Sequence, residues 1–266
     1  MIKIRTCLAG LALAGMASAA YADFSYTPAL VSDYDFRGTT QTAHDPAFQL
    51  EVDYYSGPLH IGAWTSNLHF DPTDTGYTFY WSKNTELYLL ADYSGGSDET
   101  FKYTFGLADY TYPGQNYYDF YELYGTLTKA WASVTLHYSP DFFGLAAAGP
   151  SSAEAYYIEF NGNYALGDTG FGITGHFGHS WGDYWDNYSG NYANPGDSGS
   201  YEDYSVGVTK SFGHFNTALK YIATSNYFDF GGLDKKPYNG APNDDVFSGA
   251  GRVVFSVTTT LPWAKE

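Results

Sequence analysis

The sequence predicts an all-β, transmembrane, up-and-down antiparallel β-barrel of about 12 strands. Three observations predict it: apolar and polar residues alternate with period two, connections are long and short by turns, and aromatic residues make up 20% of the chain. Val31 to Tyr55 sets the pattern. Phe48, Leu50, Val52 and Tyr54 alternate with Gln49, Glu51, Asp53 and Tyr55, so an extended chain here is apolar on one side and polar or acidic on the other. The 28 Tyr and 6 Trp suit a boundary at which a ring sits in an apolar layer and its polar tip reaches water.

The chain opens with MIKIRTCLAGLALAGMASAAYA, in which Lys3 and Arg5 precede a short apolar run and Ala20-Tyr21-Ala22. This is the pattern of a cleaved signal peptide over residues 1–22, with residues 23–266 forming one barrel domain. Cys7 would leave with it, so the mature chain has no disulfide, thiolate nucleophile or cysteine metal site. Ten basic residues would then face 29 acidic ones, which argues against a nucleic-acid partner. No long apolar run follows, so spanning helices are not expected.

Alternation and turn residues place strands at 25–35, 46–55, 59–69, 85–94, 100–110, 119–128, 131–139, 154–165, 170–180, 203–212, 215–225 and 249–261. The connections between them run to 10, 3, 15, 5, 8, 2, 14, 4, 22, 2 and 23 residues, a strict alternation. In a meander every second connection lies at the same end, which gives one end tight turns and the other long acidic loops, as in outer-membrane barrels. A soluble sandwich with crossing connections has no reason to keep that order. Ten residues at about 3.3 Å each, tilted about 40°, span roughly 25 Å, the height of the apolar band of such barrels. In lipid the meander must close, because an open edge leaves backbone groups without partners.

Phe105, Leu123, Phe160, Ile173, Val206, Leu219 and Phe255 fall on the outward parity, with Lys210 an exception near the turn end, where its stem can snorkel. The inward parity carries Glu51, Asp53, Glu86, Asp92, Glu122 and Glu159 against Lys102, Lys220 and Arg252. As pore-lining groups these predict a weak cation preference; alternatively they pair across the lumen and close it. Arg37 is expected in a surface ion pair with Asp33 or Asp35.

The segment Ser32-Asp33-Tyr34-Asp35-Phe36-Arg37-Gly38, followed by Gln41 and by Asp45-Pro46, resembles the start of the TorF-type porin family, earlier grouped as conserved hypothetical proteins of the Gcw type. The likeness continues through Gly62, Trp64, Ser66 and Asn67. The resemblance implies a proteobacterial porin fold and adds nothing on the solute. The C-terminus departs from the aromatic ending usual in barrels. Either a short tail follows the assembly signal or Trp263 serves for it.

The expected function is passive diffusion of small hydrophilic solutes or ions across the outer membrane of a Gram-negative bacterium. Its partners would be membrane lipid, the barrel assembly machinery and the solutes, with no catalytic residue, cofactor or metal. The loops from Gly182 to Tyr204 and Asn226 to Gly249 have carboxylates and rings suited to Ca²⁺ or a sugar, but no DxDxDG spacing. The rival classes are a periplasmic sugar-binding sandwich and a barrel enzyme acting on lipid acyl chains. The latter would use His137 with Ser139 or His176 with Ser180, although no GxSxG or HExxH motif supports it.

Overall fold

The computed structural model describes residues 22–68, 84–114, 116–147, 152–187, 199–225 and 249–263. Residues 1–21 of the expected signal peptide and most of the two long acidic loops lie outside the described residues. The barrel strands are β1 (Ala22–Val31), β4 (Ala47–Ser56), β5 (Leu59–Leu68), β6 (Asn84–Gly96), β7 (Lys102–Thr111), β8 (Phe120–Lys129), β9 (Ala132–Ser139), β10 (Ala155–Ala165), β11 (Phe171–Trp181), β12 (Tyr201–Phe212), β13 (Phe215–Ser225) and β14 (Arg252–Thr259). Each pairs antiparallel with its neighbours, and β1 meets both β4 and β14, so the sheet closes on itself as a 12-stranded barrel. A two-stranded hairpin, β2 (Asp35–Phe36) and β3 (Thr39–Thr40), lies between β1 and β4.

The exterior follows the alternation. Phe105, Val206 and Val253 are each about 60% exposed, and Leu123, Phe160, Ile173, Leu219 and Phe255 are exposed beside them. A surface this apolar is suited to acyl chains and not to water. Rings mark both edges of the band. Phe101, Trp131, Tyr164, Phe171, Phe212 and Phe215 flank the tight turns, while towards the loop end Tyr156 stacks on Trp181 and meets Tyr138 at a tilt. Lys210 sits at the turn end with its ammonium 4.2 Å from the Phe171 ring centre and donating to the Thr169 carbonyl, so the stem covers apolar surface and the charge reaches the boundary.

The closing seam is the weakest ladder. β1 pairs with β4 over ten residues but with β14 over three, from Ala29↔Thr258 to Val31↔Ser256. The amides of Tyr26 and Ser32 donate across the seam to Leu261 and Phe255. Pro28 lies on the same backbone parity, so its missing N–H interrupts this edge.

The first expected strand is displaced. It lies at Ala22–Val31 and not at 25–35, and the chain from Ser32 to Pro46, expected as the end of that strand and a ten-residue link to the next, turns into the barrel. The interior is the one place where so many hydroxyls and carboxylates find fixed partners. Above this hairpin, at the loop end, Phe120, Phe142, Tyr184, Trp185 and Tyr201 pack as a buried aromatic cluster. Tyr184 and Trp185 come from the short helix α1 (Asp183–Asn187), at the start of the long acidic loop that begins at Gly182.

Candidate functional site: the lumen

The hairpin tip is Phe36-Arg37-Gly38-Thr39, in which Arg37 and Gly38 both take positive φ, 50° and 83°. This is the two-residue turn whose twist suits a hairpin. Gly38 also needs to lack a side chain, because a Cβ there would stand 2.5 Å from Cβ of Asp203 and from Cγ2 of Thr224 on the wall.

Two arginines hold the hairpin in opposite senses. Arg37 reaches from the tip to the far wall, where Nη2 donates to both carboxylate oxygens of Glu122 at 2.6 and 2.8 Å, with its guanidinium over the Tyr157 ring at 4.2 Å. Arg252 reaches from β14 into the hairpin, donating to Asp33 and Asp35 at 2.5 Å each and to the Gly38 carbonyl at 2.8 Å. The expected surface pair of Arg37 with Asp33 or Asp35 is therefore corrected. The turn aims Arg37 away from its own arm, and Arg252 takes both aspartates. Asp33 also accepts from the hydroxyls of Thr40 and Thr42. Burial pushes the Asp35 carboxyl up to about 6, with Asp203 and Asp33 adding to the rise and Arg252 opposing it.

The resemblance motif is thus the hairpin and its seat. Ser32 accepts from the Phe255 amide, Tyr34 donates to Glu86 at 3.1 Å and lies 5.3 Å from Trp64, and Gln41 donates to Thr39. The Asp45 amide donates to the Thr42 carbonyl, the Pro46 carbonyl accepts from Asn67, and the Asn67 amide oxygen accepts from Phe48 N–H. Ser66 is buried on β5. At Gly62 an added Cβ would come within 3.0 Å of Leu90.

The charged residues expected to line a pore divide into groups. Asp53 and Asp92 flank His60 at 2.9 and 3.0 Å, Tyr124 donates to Asp92, and Glu51 is half-buried on β4 beside them. Glu122, only 1% exposed, faces His137 at 3.2 Å, and Glu159 stands 3.6 Å from His137 and 3.7 Å from His176. His176 in turn is 2.6 Å from Asp203. Lys102 lies at the turn end, its ammonium 2.6 Å from Asp98. Lys220 faces a cavity of about 480 Å³ on the turn side of the hairpin, which Asp35, Arg37, Glu159 and Asp203 also line.

Sequence reasoning assigned no place in the lumen to His60, Asp203, Tyr157, Thr40 or Thr42. Strand parity was signal enough for the first three, since each shares its strand's inward set, but nothing in period-two alternation marks Thr40 and Thr42. The two His and Ser pairs do not assemble. The ring nitrogens of His137 face Glu122 and Glu159, and those of His176 face Asp203, Asn161, Glu159 and the Tyr157 hydroxyl.

In overall shape the chain is similar to the KdgM porin solved with disordered oligogalacturonate, at a TM-score of 0.50 and 9% identity over 92% of this chain and 100% of that one. It is also similar to the NanC porin, at a TM-score of 0.49 and 11% identity over 90% of this chain and 98% of that one. At such identities the likeness concerns the barrel fold alone. Compared by sequence with curated proteins, the chain has no match. The sequence model of the bacterial proteins of unknown function termed Gcw_chp matches residues 14–260, which include every strand of the barrel, and the chain belongs to that family.

Proposed function

We propose that this protein is an outer-membrane channel of porin type for passive diffusion of small hydrophilic solutes or ions, exported through a cleaved signal peptide and folded by the barrel assembly machinery. The observation that carries this reading is a closed barrel with an apolar exterior and a polar cavity inside. The buried hairpin and the buried aromatic cluster towards the loop end support a narrow passage and a small conductance. Glu51, Asp53 and Asp92 outnumber the cations of their wall, which supports a weak preference for cations.

The test is planar-bilayer recording from the refolded chain, after a gel has established heat-dependent migration. Discrete conductance steps are expected, with a reversal potential of the cation-selective sign in a salt gradient. A folded protein that conducts no ion at any voltage would remove the channel, and an anion-selective potential would remove the preference.

A further inference from the structure

The cavity on the turn side of the hairpin is lined by charged groups, all but one with partners, and by neutral groups, five of which have side chains without a hydrogen bond to another described residue. Arg37 is bound to Glu122, and Asp33 and Asp35 to Arg252. Asp203 is bound to His176, and Glu159 stands between His137 and His176. Lys220 is the exception: among the described residues its ammonium has no ion-pair or hydrogen-bond partner, yet it lines the same cavity.

Cross-strand register places it. Asn163 pairs with Thr174, Thr174 with Gly207, and Gly207 with Lys220, a row running across β10, β11, β12 and β13. The missing side chain of Gly207 leaves room for the lysine stem, since a Cβ there would lie 2.7 Å from Cγ of Lys220. Around the row, Asn163, Thr174, Ser205, Ser256 and Gln49 face the cavity with side-chain amides and hydroxyls that make no hydrogen bond to another described residue. One unneutralised ammonium among unfilled donors and acceptors is a recognition surface, because each group gains most from a solute that fills it.

We propose that this cavity is a binding subsite for a small polyhydroxylated monocarboxylate, its carboxylate on Lys220 and its hydroxyls on the amides and hydroxyls of the row. A single negative charge is specified by Lys220, the one cation lining this cavity that has no partner among the described residues. The carboxylates of the lumen, with Asp33, Asp35, Glu159 and Asp203 lining this cavity, disfavour a polyanion. This inference deepens the channel reading by naming a class of solute, and it rests on that reading only for the passage of the bound solute through the barrel.

The probe is gluconate, with sorbitol as its uncharged counterpart, titrated calorimetrically into the refolded full chain in neutral detergent. Saturable one-to-one binding of gluconate is expected, about tenfold tighter than sorbitol. Lys220→Gln should weaken gluconate at least tenfold and leave sorbitol unchanged, Lys220→Arg should retain most of the affinity, and Asn163→Ala should weaken both ligands severalfold. Heat-dependent migration establishes that each variant is folded, and if Lys220→Gln does not fold the other two variants decide. No saturable gluconate binding to the folded wild type, equal binding of sorbitol, or indifference to the lysine substitutions would each overturn the assignment. Conductance without gluconate binding removes the subsite and leaves the channel; binding without conductance does the reverse.

Discussion

Arg37 and Glu122 stand 85 residues apart in the chain and meet inside the barrel, one guanidinium nitrogen donating to both carboxylate oxygens. The contact ties the tip of an inward hairpin to the opposite wall, with 6% and 1% of the two side chains exposed. It fixes how far the hairpin reaches across the barrel interior.

Removing one partner should free the hairpin. Arg37→Ala leaves the Glu122 carboxylate buried without its counter-ion, which costs on the order of 3–5 kcal/mol for a buried pair. Single-channel conductance should rise at least twofold for Arg37→Ala and for Glu122→Ala. The double variant should be less destabilised than the sum of the two, because it leaves no lone charge. Unchanged conductance in both single variants would show that the hairpin does not limit flow.

Arg252 grips the hairpin through three bonds to Asp33, Asp35 and the Gly38 carbonyl. A lysine ammonium cannot reproduce that planar fork. Arg252→Lys should therefore raise amide hydrogen exchange in residues 33–42 by about tenfold or more, with little change in the strands of the barrel. Equal exchange in variant and wild type would assign the hold to Arg37 alone.

The seam offers a gain in stability. Pro28→Thr supplies the N–H that the β1 to β14 edge lacks, and a ladder bond of this kind contributes about 0.5–1.5 kcal/mol. The temperature at which the folded band disappears on a gel should rise by a few degrees. A fall would mean that the proline ring is packed in a way no threonine replaces.

Asp35 gives the hairpin a pH dependence with a definite sign. Its carboxyl is pushed from 3.8 up to about 6 by burial, so the docked state favours the protonated form more than the free chain does. Docking should be tightest below about pH 4, weaken as pH rises towards 6, and level off above that. Hydrogen exchange of residues 33–42 across this range reads it out. Asp35→Asn should flatten the wild-type slope; an unaltered slope would place the titration on another group.

The strands were legible because period-two alternation needs only the identity of neighbours. An apolar residue at every second place of ten decides which face meets acyl chains, whatever the rest of the chain does. Turn residues such as Gly57 and Gly213, with φ of 59° and 55°, marked the tight end just as locally. The expected inward placement of Glu122 and Arg252 followed from the same parity.

What the sequence alone determined, then, was the closed sheet, its polarity and the two faces of each strand, because these depend on spacing within one strand or one turn. The fate of Ser32 to Pro46 was decided only in three dimensions. Its hydroxyls and charges suit bulk water as well as a polar lumen, and parity has no meaning outside a strand. It turns inward because closing the barrel brings Glu122 and Arg252, 85 and 217 residues from Arg37 and Asp35, to the two places where a short hairpin can bind both. Pairing across such separations is a property of the closed cylinder and not of any stretch of chain.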